Sequence, residues 1–234
     1  MDLVVELILS WLALWFFEKK NLSVLGIKPT KTRMMNLFTG FLIASFLCAF
    51  NYFLQTVFSG STWHLNSGFT WKSFFSAAWW TLHSVLYEEL IFRGALLYIA
   101  IKKLGEKRAC LLSAICFGVY HLFSMSVSGW VPVIYLVAAT TLMGFVFALA
   151  YTKTNSLYLP VGLHFGWNML TTVIFSQGPI GNQFLILKAG ERFSPLENSI
   201  VLIWSAFALP LASFLYLKRI KENQPESKSE TIII

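Results

Sequence analysis

Seven apolar segments, each 15 residues or longer, run through this chain with only short polar stretches between them. They lie near residues 3–17, 36–58, 73–101, 108–125, 131–151, 156–176 and 199–217. A hydrocarbon core about 30 Å thick is crossed by roughly 20 apolar residues of helix. The pattern therefore predicts an all-α fold, a polytopic membrane helical bundle of seven to eight transmembrane helices. The first segment is short enough for a partial or tilted span. The third is long, and a kink or split near its charged centre gives the eighth helix. Composition agrees: 56% of residues are hydrophobic and 12% charged, against about 25% charged in soluble domains. Too little polar surface is present to wrap a water-soluble globule of this size.

The net charge of +7 does not point to nucleic acid, because Lys and Arg are gathered in the short loops. The stretches 18–33, 102–108 and 218–221 are basic, Lys153 marks another, and 59–71 and 124–130 contain no Lys or Arg. With seven spans every basic loop falls on one side, the cytoplasmic side by the positive-inside rule. The N-terminus is then outside and the C-terminus cytoplasmic. The loop 177–198 is mixed, with Lys188 and Arg192 against Glu191 and Glu197. Asp2 in place of a basic n-region, and no small-residue cleavage site in "LALWFFEKK", predict that the first segment is retained. Cys48, Cys110 and Cys116 lack CxxC spacing, so they are expected to be core or lipid-facing residues rather than a disulfide or structural zinc set. No fixed-period repeat is present, and the Trp and Phe content is that of membrane interfaces.

A few polar residues stand where lipid is expected: Glu88, Glu89, Arg93, His121, His164 and Asn168, with His83 and Asn51 as weaker members. An ionisable group inside a spanning helix is costly unless a partner or cavity shelters it, which makes it a functional candidate. At about 1.5 Å of rise per residue, Glu88 and His121 each lie roughly 21 Å from the basic end of their helices, and His164 and Asn168 roughly 14–20 Å. Three helices thus bring polar groups to one level. Glu89 and Arg93 are four apart, the spacing of an intrahelical ion pair. Glu88 is turned about 100° from Glu89 and makes a poorer partner for Arg93. Glu88 is therefore expected to face His121, His164 and Asn168, the last two sharing a helix face. A sheltered carboxylate can act as general base toward water, and a His beside an Asn can donate to an oxyanion. The bland readings are a structural ion pair for Glu88, a hydrogen-bonded core histidine for His121, helix–helix bonding for Asn168 and packing for Phe117. His64, in a loop, and His83 are read as incidental.

"EELIFR" fits EExxxR, "FGVYH" fits FxxxH and "HFGWN" fits HxxxN, in that order and each on its own apolar segment. Together they resemble the CPBP family, the CAAX proteases and bacteriocin-processing enzymes also called Abi. The juxtamembrane "LGIKP" of residues 25–29 is similar to a segment that often precedes the family's helical core. The resemblance implies an intramembrane endopeptidase in which Glu88 activates water, His121 assists, and His164 and Asn168 stabilise the oxyanion. Glu89, Arg93 and Phe117 take supporting positions. It divides the chain into a first membrane segment and basic loop (1–35), a protease core (36–217) and a polar mobile tail (218–234). The expected partners are a peptide or protein substrate at the membrane and the bilayer itself, and the location is a bacterial cytoplasmic membrane. No cofactor is expected. The same residues could hold zinc, but HExxH is missing and Asn is a poor zinc ligand. Outside catalysis the alternatives are an ion-path transporter, which the missing repeat and modest helix number count against, and a membrane immunity or scaffold protein.

Overall fold

Polar caps cut the apolar sequence into helices at defined places. In the computed structural model, which describes residues 3–124, 129–188 and 190–220, Thr30 caps α2 (Lys31–Ser59) by accepting from the Arg33 N–H. Thr70 and Ser73 form a reciprocal capping box at the start of α3 (Trp71–Arg93). These caps satisfy N–H groups that the first helical turn leaves free. The order before α2 is α1 (Leu3–Glu18) and a 3-10 turn (Leu22–Leu25), and β1 (Thr62–Leu65) lies between α2 and α3. After α3 come α4 (Ala95–Leu104), α5 (Glu106–Ser124), α6 (Trp130–Thr154) and α7 (Tyr158–Asn168). A π-helical segment (Met169–Ile174), β2 (Leu185–Lys188) and α8 (Pro195–Leu217) complete the described chain. The end of the expected tail, from residue 221 on, and the middle of the 124–130 loop lie outside the described residues.

The protein is an all-α integral membrane protein. Three helices, α2, α6 and α8, are long and apolar enough to cross a bilayer. The other segments fall short of that measure by length or by charge. α1 has 16 residues and α4 has 10, while α3 carries Glu88, Glu89 and Arg93 and α5 begins with Glu106, Lys107 and Arg108. The surfaces left for lipid are apolar: along α2, Phe38, Leu42 and Phe46 are all exposed. Cys48 and Cys110 are buried, Cys116 is exposed, and all three are free thiols.

The long third segment divides as its charges suggested. Helix α3 ends at Arg93, and α4 restarts after the single residue Gly94. A Cβ at Gly94 would collide with the Leu90 carbonyl, so this break requires a glycine. Helix α7 is seated closely on α2. Gly162 and Gly166, one turn apart, press against the backbone of α2, where a Cβ would overlap the carbonyls of Leu37 and Phe41 respectively. Such small-xxx-small spacing lets helix backbones approach in lipid, where packing replaces the hydrophobic effect as the force of association.

A short antiparallel ladder was not anticipated. Strands β1 and β2 pair Thr62 with Lys188 and Leu65 with Leu185, joining the two stretches that follow α2 and precede α8. At the other end, Ser156 Oγ donates to the Gly26 carbonyl at 3.1 Å and the Tyr158 hydroxyl to the Ile27 carbonyl at 3.0 Å. Segment "LGIKP" is thereby tied to the α6–α7 connection.

Candidate active site

Glu89 sits at the centre of the polar cluster, with no solvent exposure. Its Oε2 lies 3.2 Å from Arg93 Nε, the expected pair of residues four apart. Its Oε1 accepts from His164 Nδ1 at 2.8 Å. The second contact was not anticipated from spacing within α3, because it crosses to α7. Glu89 is thus more than a counter-ion for Arg93; it holds the His164 ring in orientation.

The Arg93 guanidinium is also completely buried. It lies within ion-pair distance of Glu89, but its N–H groups make no aligned hydrogen bond among the described residues. Aromatic faces surround it instead: Phe117 at 4.2 Å, Phe147 at 5.1 Å and Phe92 at 5.8 Å from the guanidinium carbon to the ring centres. A ring face attracts a cation most strongly where water is absent. Ion pair and rings together make burial of this charge tolerable, whereas removing one partner of such a pair costs about 3–5 kcal/mol.

His164, 5% exposed, stands between both glutamates. Its Nδ1 is engaged by Glu89, and its Nε2 is 3.8 Å from Glu88 Oε2. That gap is longer than a hydrogen bond, so the Glu88 oxygen has no hydrogen-bond partner among the described residues. Glu88 itself keeps some access, with its side chain 13% exposed. The His164 ring stacks on Phe147 with centres 5.1 Å apart and planes at 24°. It is fixed from two directions, by a carboxylate and by a ring.

His121 approaches from α5. Its Nδ1 lies 2.8 Å from the Phe117 carbonyl, and since a carbonyl only accepts, Nδ1 carries the proton in that bond. In the neutral ring Nε2 is then the acceptor nitrogen. The Phe117 ring lies 4.2 Å from the Arg93 guanidinium carbon, 4.6 Å from the His121 ring and 5.8 Å from the His164 ring, which places the three motifs around one centre. Phe117 has two duties: its ring lies under Arg93, and its carbonyl sets the His121 tautomer. Asn168 is half-buried at the last position of α7, one turn beyond His164. There the chain widens into the π-helical segment, a feature frequent at functional sites.

The structure therefore brings Glu88, Glu89, Arg93, Phe117, His121 and His164 together, with Asn168 on the same helix face as His164. His64 is exposed in β1, where its Nε2 bonds Thr62 Oγ1 at 2.9 Å, and stands apart. Asn51 is buried on α2. Two contributors escaped notice in the sequence. Phe147 gives no signal among 22 Phe residues. Gly162 and Gly166 bracket His164 in GxxxG spacing, a readable signal. Residue 164 is turned about 200° from residue 162 on a helix, so pressing the glycines onto α2 directs His164 the other way, toward α3. Among the described residues, no group of three or more His, Cys, Asp or Glu is arranged to hold a metal ion.

Residues 69–170 match the family described as Type II CAAX prenyl endopeptidase Rce1-like. The match covers 102 of the 234 residues, and over that stretch the chain is similar to the Rce1-like family. The match starts just before α3 and ends two residues after Asn168, so it contains every motif residue of the cluster. The Rce1-like family is a family of proteases, as the resemblance of the three motifs implied. No curated protein and no solved structure matches the chain.

Proposed function

We propose that the chain is an intramembrane endopeptidase that hydrolyses a peptide bond in a membrane-associated, prenylated or leader-bearing substrate. The observation that carries this reading is the division of labour between adjacent glutamates. Glu89 is engaged by Arg93 and His164, while Glu88 Oε2 faces His164 Nε2 across 3.8 Å with no hydrogen-bond partner among the described residues. A carboxylate so placed can remove a proton from an attacking water. His121, with Nδ1 committed to the Phe117 carbonyl, presents Nε2 as the base that relays that proton to the departing amine. His164 holds its Nδ1 proton toward Glu89, so its donation to an oxyanion uses Nε2–H of the doubly protonated ring. The Glu89 carboxylate bonded to Nδ1 compensates the charge of that form. Asn168 supplies a neutral donor beside it, and such donors act strongly where water is excluded.

In this reading the remaining helices also cross or enter the bilayer, giving seven to eight membrane helices in a bacterial cytoplasmic membrane. The ends of the bundle support the sidedness. The 18–33 loop meets the α6–α7 connection, just beyond Lys153 in the last turn of α6, and the 59–71 loop pairs with 177–198. Loops that the seven-span count puts on one side thus touch each other. Catalysis needs no cofactor here; water is activated by Glu88.

The test is cleavage of a quenched-fluorescence farnesylated CAAX-type peptide by the purified chain in phosphatidylcholine–phosphatidylglycerol vesicles. Wild type is expected to cleave, and Glu88→Gln and His121→Ala at equal abundance are not. Peptides that accumulate in membranes of a Glu88→Gln strain would then identify the natural substrate. Equal cleavage by both variants and wild type overturns the reading.

A further inference from the structure

Glu6 is the one acidic residue in the apolar run 3–17 and belongs to none of the three motifs. Its side chain points inward: the residue is 6% exposed, and Oε2 has no hydrogen-bond partner among the described residues. It lines a cavity of about 170 Å³ between α1 and the α3–α4 break, together with Ser10, Ala13, Leu90, Ile91 and Ala95. Ile91 is one turn from Glu88 on α3. Leu90, which also lines the cavity, is two residues from Glu88, so the cavity adjoins the helix segment that carries the candidate catalytic carboxylate. The first turn of α4, which opens on the same cavity, carries no side-chain cap. Apolar walls, a carboxyl oxygen and the positive end of a helix dipole therefore meet in one place. A lipid chain would fill the walls but leave the carboxyl with no polar partner, which is unfavourable in an apolar medium. A peptide group supplies both an N–H for the carboxyl and a C=O for the helix end.

We propose that Glu6 is a substrate-recognition residue, holding a backbone N–H of the extended peptide segment that enters between α1 and the α3–α4 break on its way to Glu88. This extends the endopeptidase reading, on which it rests, by naming where the substrate chain lies. In catalysis Glu6 binds substrate and moves no proton.

The test separates binding from cleavage. Binding of a fluorescent farnesylated CAAX-type peptide is measured on the Glu88→Gln protein in phosphatidylcholine–phosphatidylglycerol vesicles. Adding Glu6→Leu is expected to weaken binding about tenfold, the value of one hydrogen bond to a buried carboxyl. Glu6→Gln, which keeps an acceptor and a donor, stays within about twofold by the same arithmetic. N-methylating the peptide at each amide in turn should reveal one position that costs about tenfold with Glu6 present and nothing further in the Glu6→Leu protein, where the acceptor is gone. Ala13→Phe, which fills the cavity, should weaken binding whatever stands at position 6. In the cleaving protein, Glu6→Leu should raise KM by more than it lowers kcat. Unchanged affinity in Glu6→Leu, equal losses for every N-methylated peptide, or displacement of farnesol but not peptide by Ala13→Phe overturns the proposal, the last outcome marking a lipid site. Wild type that binds no peptide also overturns it. Wild type that binds but never cleaves overturns the hydrolytic reading and leaves this one standing.

Discussion

Helices α7 and α1 both flank the glutamate-bearing helix, and they are seated in opposite ways. Helix α7 lies against α2 through Gly162 and Gly166, with no room for a Cβ. It delivers His164 to a carboxylate that is already paired with Arg93. Helix α1 leaves about 170 Å³ open against α3 and α4 and turns toward it a carboxyl whose Oε2 has no hydrogen-bond partner among the described residues. The difference teaches how a membrane protein handles buried charge. Where partners come from the chain itself, burial fixes geometry to within a hydrogen bond. Where the described residues offer no partner, the polar group marks a surface that a ligand can complete.

The largest effect should come from the closed region. Glu88→Gln keeps the shape but removes the base, and cleavage in vesicles should fall by about 10²–10⁴-fold. Stability should scarcely change, because Glu88 Oε2 has no hydrogen-bond partner among the described residues to lose. Arg93→Ala should instead unfold the cluster. It leaves Glu89 buried without its cation and should cost about 3–5 kcal/mol, read as a lowered thermal midpoint in detergent.

The two seats can be compared directly by enlarging one residue in each. Gly162→Leu forces a side chain into the α2 backbone and should cost about 1–3 kcal/mol or more. Ala13→Phe fills existing space and should cost less than about 1 kcal/mol, within the range of tolerated substitutions. Equal losses at both positions would abolish the contrast between the helices. Between these two lies Phe147→Leu. It removes the ring stacked on His164 and set over Arg93 and should cost about 0.5–2 kcal/mol. Chelator added to the purified protein should leave cleavage unchanged; loss of activity restored by zinc would replace Glu88-activated water with metal-bound water.

Much of this was legible before any coordinates. Apolar runs marked where the helices lie, and three of these, α2, α6 and α8, reach the length and apolarity that a bilayer crossing needs. The split of the third segment was visible in its length and its charged centre. The pair Glu89 and Arg93 followed from helical periodicity alone, and so did the shared face of His164 and Asn168. The β1–β2 ladder was not legible, since "TWHL" and "LILK" are too short to distinguish from loop and pair only across 119 residues of chain.

The sequence by itself determined which residues could form the site, because a charge in an apolar helix is too costly to be incidental and helical spacing ties neighbours together. Tertiary structure alone decided what each residue does. His164 bonds Glu89 rather than Glu88, Phe147 completes the pocket around Arg93, and Glu6 opens on a cavity. All three depend on how helices distant in sequence are rotated against each other, and that rotation is set by packing, as at Gly162 and Gly166, rather than by any local period.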